Sequence, residues 1–204
     1  MFDYENKYKN YKYIAGIDEA GRGPLAGPVV CASVIMPLDK DRIIDGVDDS
    51  KKLSPARREM LYEKITAAAL AYKISVINHK VIDEVNILNA TKMGMLDSVK
   101  SLKIKPDVVL TDAVKLNLDC ITENIIRGDQ LSYSIAAASI LAKVYRDRLM
   151  LDFDKIYPEY EFKQHKGYCT KLHVEKLKAY GACEIHRKSF LKFMNESEFT
   201  EENE

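Results

Sequence analysis

Residues 16–27 read GIDEAGRGPLAG. The run leaves an apolar stretch, sets Asp18 and Glu19 side by side, and continues into Gly21-Arg22-Gly23 and Pro24. A short apolar segment bounded by glycine predicts a buried strand, here over residues 12–20. Successive strand residues face opposite sides, so Asp18 and Glu19 cannot both point inward on a regular strand. Glu19 is therefore expected where the strand gives way to the loop. Glycines let backbone N–H and C=O groups approach a ligand closely. A tight turn between two strands would use the same residues.

Outward from this stretch, PVVCASVIM at 28–36 predicts a second strand, antiparallel to the first. YKISVINH at 72–79 predicts a third, with Ile74 and Val76 as its apolar positions. PDVVLTDAV at 106–114 predicts a fourth, and its unbroken apolar run implies burial on both faces. DCITENIIRGD at 119–129 predicts a short fifth strand closing on Gly128-Asp129. Helices fill the gaps. Ser54-Pro55 is an N-cap with proline at the first helical position, opening a helix over 56–71. A second helical region spans 81–102 and breaks near Asn86. A third spans 134–157 without glycine or proline, and its small residues Ala136, Ala137, Ala138 and Ser139 suit close packing on a sheet. A short amphipathic helix over 170–181 takes Gly181 as its C-cap. The order describes an α/β protein with a mixed five-stranded sheet flanked by helices and a helical C-terminal part. The boundary falls near Pro158, giving a catalytic domain over 1–157 and a helical extension over 158–204 packed on it.

Two strands end on acids, Asp18-Glu19 and Asp112, and Asp129 closes the fifth run. If the first, fourth and fifth strands are neighbours and run the same way, four carboxylates meet at one sheet edge, where α/β proteins bind ligands. Clustered carboxylates repel unless cations neutralise them. An all-oxygen donor set favours Mg²⁺ or Mn²⁺. Two such ions roughly 4 Å apart can activate a water and stabilise a leaving oxygen in phosphodiester cleavage. Taken singly, each acid would serve equally as a cap, a turn or a solvated charge, and Asp129 in particular could cap the helix that follows.

The 204 residues are 47% hydrophobic and carry no formal net charge, which suits one domain with a real core. The opening residues are polar and lack an apolar signal core, and no apolar run approaches the roughly 20 residues of a membrane span. Cys31, Cys120, Cys169 and Cys183 are scattered without a C-x-x-C pair, as in a cytoplasmic protein with reduced thiols. The four histidines show no zinc-ligand spacing. The zero net charge hides a polarity: residues 162–193 hold eight Lys and Arg against two Glu, and the last ten residues, NESEFTEENE, hold five Glu. The basic stretch is either a phosphate-binding surface or a solvated helix face.

Several blocks together carry a resemblance. AGIDEAGRGPLAGPVV, DDSKKLSPARRE, EVNILNATKMGM, GDQLSYSIAAASILAKVYRD, HKGYCTKLHVEKL and HRKSF, in that order, resemble ribonuclease HII, the bacterial type 2 ribonuclease H, from about Tyr13 to Phe190. The resemblance implies an RNase H-like fold. It implies cleavage of RNA in RNA–DNA hybrids, and 5′ of a ribonucleotide embedded in duplex DNA, leaving a 3′-hydroxyl and a 5′-phosphate, as in ribonucleotide excision repair. It implies Asp18, Glu19, Asp112 and Asp129 as catalytic, metal-holding acids, with two Mg²⁺ or Mn²⁺ ions when substrate is bound. It further implies that Gly21, Arg22 and Gly23 contact the ribose 2′-OH, which distinguishes RNA from DNA. Tyr168 would stack on the next sugar, and Lys51, Lys52 and Lys143 would face phosphates. Arg146 and Asp147 fit an ion pair within the long helix as well as a catalytic role. The chain begins too close to its first strand for the extra N-terminal domain of type 3 enzymes, and a monomer is expected. The competing expectations are an RNase H-like nuclease acting on DNA junctions and a non-catalytic nucleic-acid-binding module. The Gly21–Gly23 turn with Tyr168 argues against the first, since DNA has no 2′-OH, and the four acids argue against the second.

Overall fold

The central strand β1, Ile14–Ala20, is the stretch that ends on the paired acids, and a computed structural model describes the chain over residues 1–192. β1 pairs antiparallel with β2, Val29–Ile35, from Ala15 opposite Ile35 to Ala20 opposite Val30. On its other side it pairs parallel with β4, Val108–Asp112, which pairs parallel with β5, Ile121–Ile125. β3, Ala71–Ile77, closes the far edge antiparallel to β2, so the order is β3-β2-β1-β4-β5. Every residue of β2 and the first four of β4 are buried, as continuous apolarity predicts. The acidic tail lies outside the described residues.

The helices in chain order are α1, Asp3–Lys7; α2, Pro55–Ala68; α3, His79–Lys100; α4, Gly128–Leu131; α5, Tyr133–Ile156; α6, Phe162–His165; and α7, Lys171–Tyr180. α2 and α5 cover one face of the sheet through Leu61, Ile65, Ile140 and Leu141 against Val30, Ala32 and Val34. α3 covers the other through Met95 and Val99 against Ala15, Ile17 and Cys31. The local signals act where expected. Ser54 accepts from Arg57 N–H at the start of α2, and Gly181 ends α7 with φ 72°. Asn86 interrupts α3 with φ 67° and ψ 165°, and its side chain caps the continuation by accepting from Asn89 N–H at 3.1 Å.

Three elements differ from expectation. α2 stops at Ala68 because β3 already begins at Ala71. Along β3 the buried positions are Ala71 and Ser75, while Val76 is exposed: the edge strand is covered mainly on the side that faces α3. The polar opening forms α1, whose buried Glu5 accepts from Ser132 Oγ at 2.6 Å and Ser134 N–H at 2.9 Å. A carboxylate there meets the positive end of α5. The C-terminal segments pack on the last turns of α5 through Met150, Tyr160, Phe162, Leu177 and Ile185, together with Leu25 and Ala26 of the glycine loop.

α5 crosses β1 at its closest point over Gly16. A Cβ at Gly16 would overlap the backbone of Ser134 and Ile135. The small residues of α5 and the bare glycine thus set the helix-to-sheet distance, and with it the position of the strand end. Gly16→Ala is expected to destabilise the protein by about 1–3 kcal/mol through overpacking. A denaturant midpoint unchanged from that of the parent chain would contradict this.

Candidate active site

β1, β4 and β5 run parallel and present their carboxyl ends together. Asp18 and Glu19 come from the end of β1 and Asp112 from the last position of β4. Asp129 does not close a strand. β5 stops at Ile125, Arg127 takes a left-handed φ of 59°, and Asp129 sits in the short helix α4. Nor does Asp129 cap α5, since Ser132 does so by accepting from Ile135 N–H. α4 is tied back to β4 by Gly128 N–H, which donates to Asp112 Oδ1 at 2.8 Å.

Glu19 also differs from expectation. The strand continues through Ala20, and Glu19 remains in register opposite Cys31. Asp18 lies on the α5 side with Gly16, and Glu19 on the α3 side with Ile17. What brings them together is the end of the sheet, where both feel Asp112. Burial, then the charges of Glu19 and Asp112, hold the Asp18 carboxyl well above the usual range, against a hydrogen bond from Glu19 N–H. Burial also raises Glu19, opposed by Arg22, whose Nη1 lies 3.4 Å from Glu19 Oε1. Burial and the charges of Asp49 and Asp112 raise Asp129, opposed by Lys51, whose Nζ lies 3.7 Å away. Burial works to lower Lys51, but Asp129, Asp18, Asp49 and Asp112 outweigh it and raise its pKa. Lys51 also lowers Glu19, so one lysine senses all four expected acids and a fifth, Asp49, that sequence reading missed. Its signal was the acidic pair in DDSKK: Asp49 is buried and accepts from Lys51 N–H at 2.9 Å.

The donors fit a hard divalent cation. All are carboxylate oxygens, and Glu19 Oε2 is buried with no hydrogen-bond partner. Among the described residues no group of three or more His, Cys, Asp or Glu is already arranged to hold a metal ion. The acids share an electrostatic field, with Lys51 and Arg22 supplying nearby positive charge.

Beside the acids, the glycine loop is held from behind by two buried guanidinium groups. Arg187 donates to the carbonyls of Gly21 at 2.6 Å, Arg22 at 2.9 Å and Gly27 at 2.9 Å. Arg146 donates to those of Pro28, Ala26 and Lys166 at 3.0–3.1 Å. Of the two residues read as ion-pair candidates of the long helix, only Asp147 forms such pairs, with Lys143 at 2.7 Å and Arg58 at 3.8 Å. Lys143 is therefore held by its neighbour, and Lys52 by Asp48 at 3.3 Å, while Lys51 leans on the acids. In the basic stretch, Lys163, Lys171 and Lys176 pair with Asp154, Glu175 and Glu161. Tyr168 is 41% exposed, with Arg146 and Lys143 each within 6 Å of its ring centre. Its loop is stitched to the glycine loop by Leu25 N–H, which donates to Gly167 O at 2.8 Å.

Acids past the carboxyl ends of parallel strands, in a mixed sheet flanked by helices, are the arrangement of the RNase H-like fold that its structural neighbours share. A sequence model of the family described as Ribonuclease HII matches residues 15–193. Ribonuclease HII of Caldicellulosiruptor bescii is 55% identical over 194 residues, covering 94% of this chain and 93% of that protein. The crystal structure of ribonuclease H2 from Pyrococcus horikoshii superposes with a TM-score of 0.75 at 29% identity, covering 87% of this chain and 93% of that one. The RNase HII of Archaeoglobus fulgidus, in a structure with PCNA, superposes with a TM-score of 0.74 at 28% identity, covering 87% and 94%. The chain belongs to the ribonuclease HII family and is a ribonuclease H enzyme. No helix among the described residues is long and apolar enough to cross a membrane.

The two loop glycines are under different constraints. Gly21 has φ 97°, and a Cβ there would overlap the Arg146 side chain. Gly23 has nothing within 4 Å of that position. Gly21→Ala is expected to lower Tm by more than about 4 °C, and Gly23→Ala to leave it unchanged. Equal melting temperatures for the two variants would refute this division.

Proposed function

We propose that the chain cleaves the RNA strand of RNA–DNA hybrids and nicks duplex DNA 5′ of an embedded ribonucleotide, leaving a 3′-hydroxyl and a 5′-phosphate. The observation that carries this reading is the adjacency of the acids at the sheet end to the arginine-clamped loop in one unbroken stretch, Asp18 to Gly23. The loop is fixed before any ligand arrives, and the open space at Gly23 lets a sugar approach its backbone. A 2′-hydroxyl, both donor and acceptor, would be read there. Tyr168, exposed beside the same loop, would lie on the neighbouring sugar and crowd an added hydroxyl.

Asp18, Glu19, Asp112 and Asp129 would hold the metal, with Asp18 and Asp129 about one ion and Glu19 and Asp112 about a second. Two Mg²⁺ or Mn²⁺ ions would supply water activation and charge stabilisation at the leaving oxygen. The protein's own part is to fix Asp18, Glu19 and Asp112 on strand ends, to keep Asp129 of α4 in line through the Gly128–Asp112 bond, and to hold the substrate strand by its backbone through the loop. Lys51 sits where a phosphate would share its charge with the acids. No side chain is assigned as general base.

The test is a duplex DNA carrying one ribonucleotide, with Mg²⁺ or Mn²⁺ supplied and the cut position mapped. A single nick 5′ of the ribonucleotide is expected, and no nicking there while DNA junctions are cut would sink the proposal. Asp18→Asn should reduce cleavage by on the order of 100-fold or more while substrate binding persists. Cleavage by that variant at the parent rate would remove Asp18 from the site.

A further inference from the structure

Three buried imidazoles, His165, His173 and His186, take no part in the chemistry above. Their fixed neighbours decide which nitrogen carries each proton. The backbone N–H of Cys183 donates to His186 Nδ1 at 2.9 Å, and the Cys183 thiol lies 3.1 Å from the same atom. The Cys183 carbonyl is farther from that nitrogen, at 3.3 Å. A ring nitrogen that accepts from a backbone N–H bears no proton of its own in the neutral ring, so His186 carries its hydrogen on Nε2. That N–H faces His173 Nε2 at 3.0 Å, which must accept it. His173 is thereby left with its hydrogen on Nδ1, and donates it to the Tyr168 carbonyl at 2.9 Å. His165, stacked on His173 with ring centres 4.3 Å apart, follows the same rule. Gly167 N–H donates to its Nδ1 at 3.2 Å, and Nε2 donates to the Tyr160 carbonyl at 2.9 Å.

A one-way chain of hydrogen bonds thus runs from Cys183 N–H through two neutral rings to the backbone of Tyr168. A second proton on either ring would set one donor against another. Burial agrees with this wiring, since it pushes both His173 and His186 down to about 4. The far end of the chain is anchored to the glycine loop. Gly27 N–H donates to Ile185 O at 2.9 Å, and Arg187 N–H to Leu25 O at 2.8 Å.

We infer that the His186–His173 relay is a positioning device that holds Tyr168 at a set place relative to the glycine loop, so that discrimination at the sugar depends on two residues that never touch it. The link to discrimination rests on the proposed contact between Tyr168 and the sugar.

The relay can be tested on the unaltered protein and by substitution. In long-range ¹H–¹⁵N spectra at pH 7, His173 should show the Nδ1–H tautomer and His186 the Nε2–H tautomer. Any other pair of tautomers overturns the relay, and this measurement needs no variant to fold. The second readout is the ratio of cleavage rates at a single embedded ribonucleotide and in a continuous RNA–DNA hybrid. His173→Leu should lower that ratio about tenfold, the scale of one lost hydrogen bond. His173→Asn, whose amide can donate near the place of Nδ1, should restore most of it. The Tyr168→Ala/His173→Leu double variant should lose no more than Tyr168→Ala alone. A ratio unmoved by His173→Leu but lowered by Tyr168→Ala, or fully additive losses, would overturn the positioning role. A ratio that Tyr168→Ala itself leaves unchanged would sink the sugar contact and its link to discrimination, while the relay would still be judged by its tautomers.

Discussion

Two buried guanidinium groups hold the backbone of the glycine loop, whose own side chains join the core at Leu25 and Ala26. Arg146 and Arg187 donate to six backbone carbonyls, four of them on the segment from Gly21 to Gly27. Burying a cation is costly unless it is well hydrogen-bonded. Charge-assisted bonds of this kind contribute roughly 1.5–3 kcal/mol each. The cost is visible in Arg187, whose pKa burial and the nearby Arg146 charge push down to about 9. The glycine loop, the Tyr168 loop and the C-terminal segment share these two anchors. A loop so fixed can recognise a ligand by backbone alone without first becoming ordered.

The acids show the opposite balance. Nothing comparable satisfies Asp18 and Glu19, which leave opposite faces of the end of β1 with their charged forms disfavoured by burial. Like charges that share one field in this way cost stability. Arg22 and Lys51 offset part of the repulsion, and the donor set suits a divalent cation for the remainder. The site therefore joins two kinds of preorganisation, a loop satisfied in advance and an acid cluster left unsatisfied.

Much of this was legible in the residues. The antiparallel start, the caps at Ser54 and Gly181 and the break at Asn86 follow from local pattern, because each depends on a few adjacent residues, whereas the parallel pairing of β1 with β4 joins segments far apart in the chain. The four acids were found as strand-end carboxylates and by their resemblance to one family. Other features were hidden. The sequence reading placed Asp129 at a strand end, but a left-handed Arg127 carries the chain into a short helix first. It turned Glu19 out of the strand, but the sheet simply ends beside it. Asp49 was visible only as half of an acidic pair, and its tie to Asp129 joins positions distant along the chain.

By itself the sequence determined the five strands, the four longer helices and the glycine-rich loop, since periodicity, capping and glycine's lack of a Cβ are properties of short segments. Only the tertiary structure decided what the buried polar groups do. Arg146 looked like an ion-pair or catalytic residue of its helix, Arg187 like one more base in a basic stretch, and the histidines showed only that they lack zinc-ligand spacing. Their partners lie up to 166 positions away along the chain. A buried donor must find an acceptor wherever the fold supplies one, so its role is set by packing and not by its neighbours in sequence.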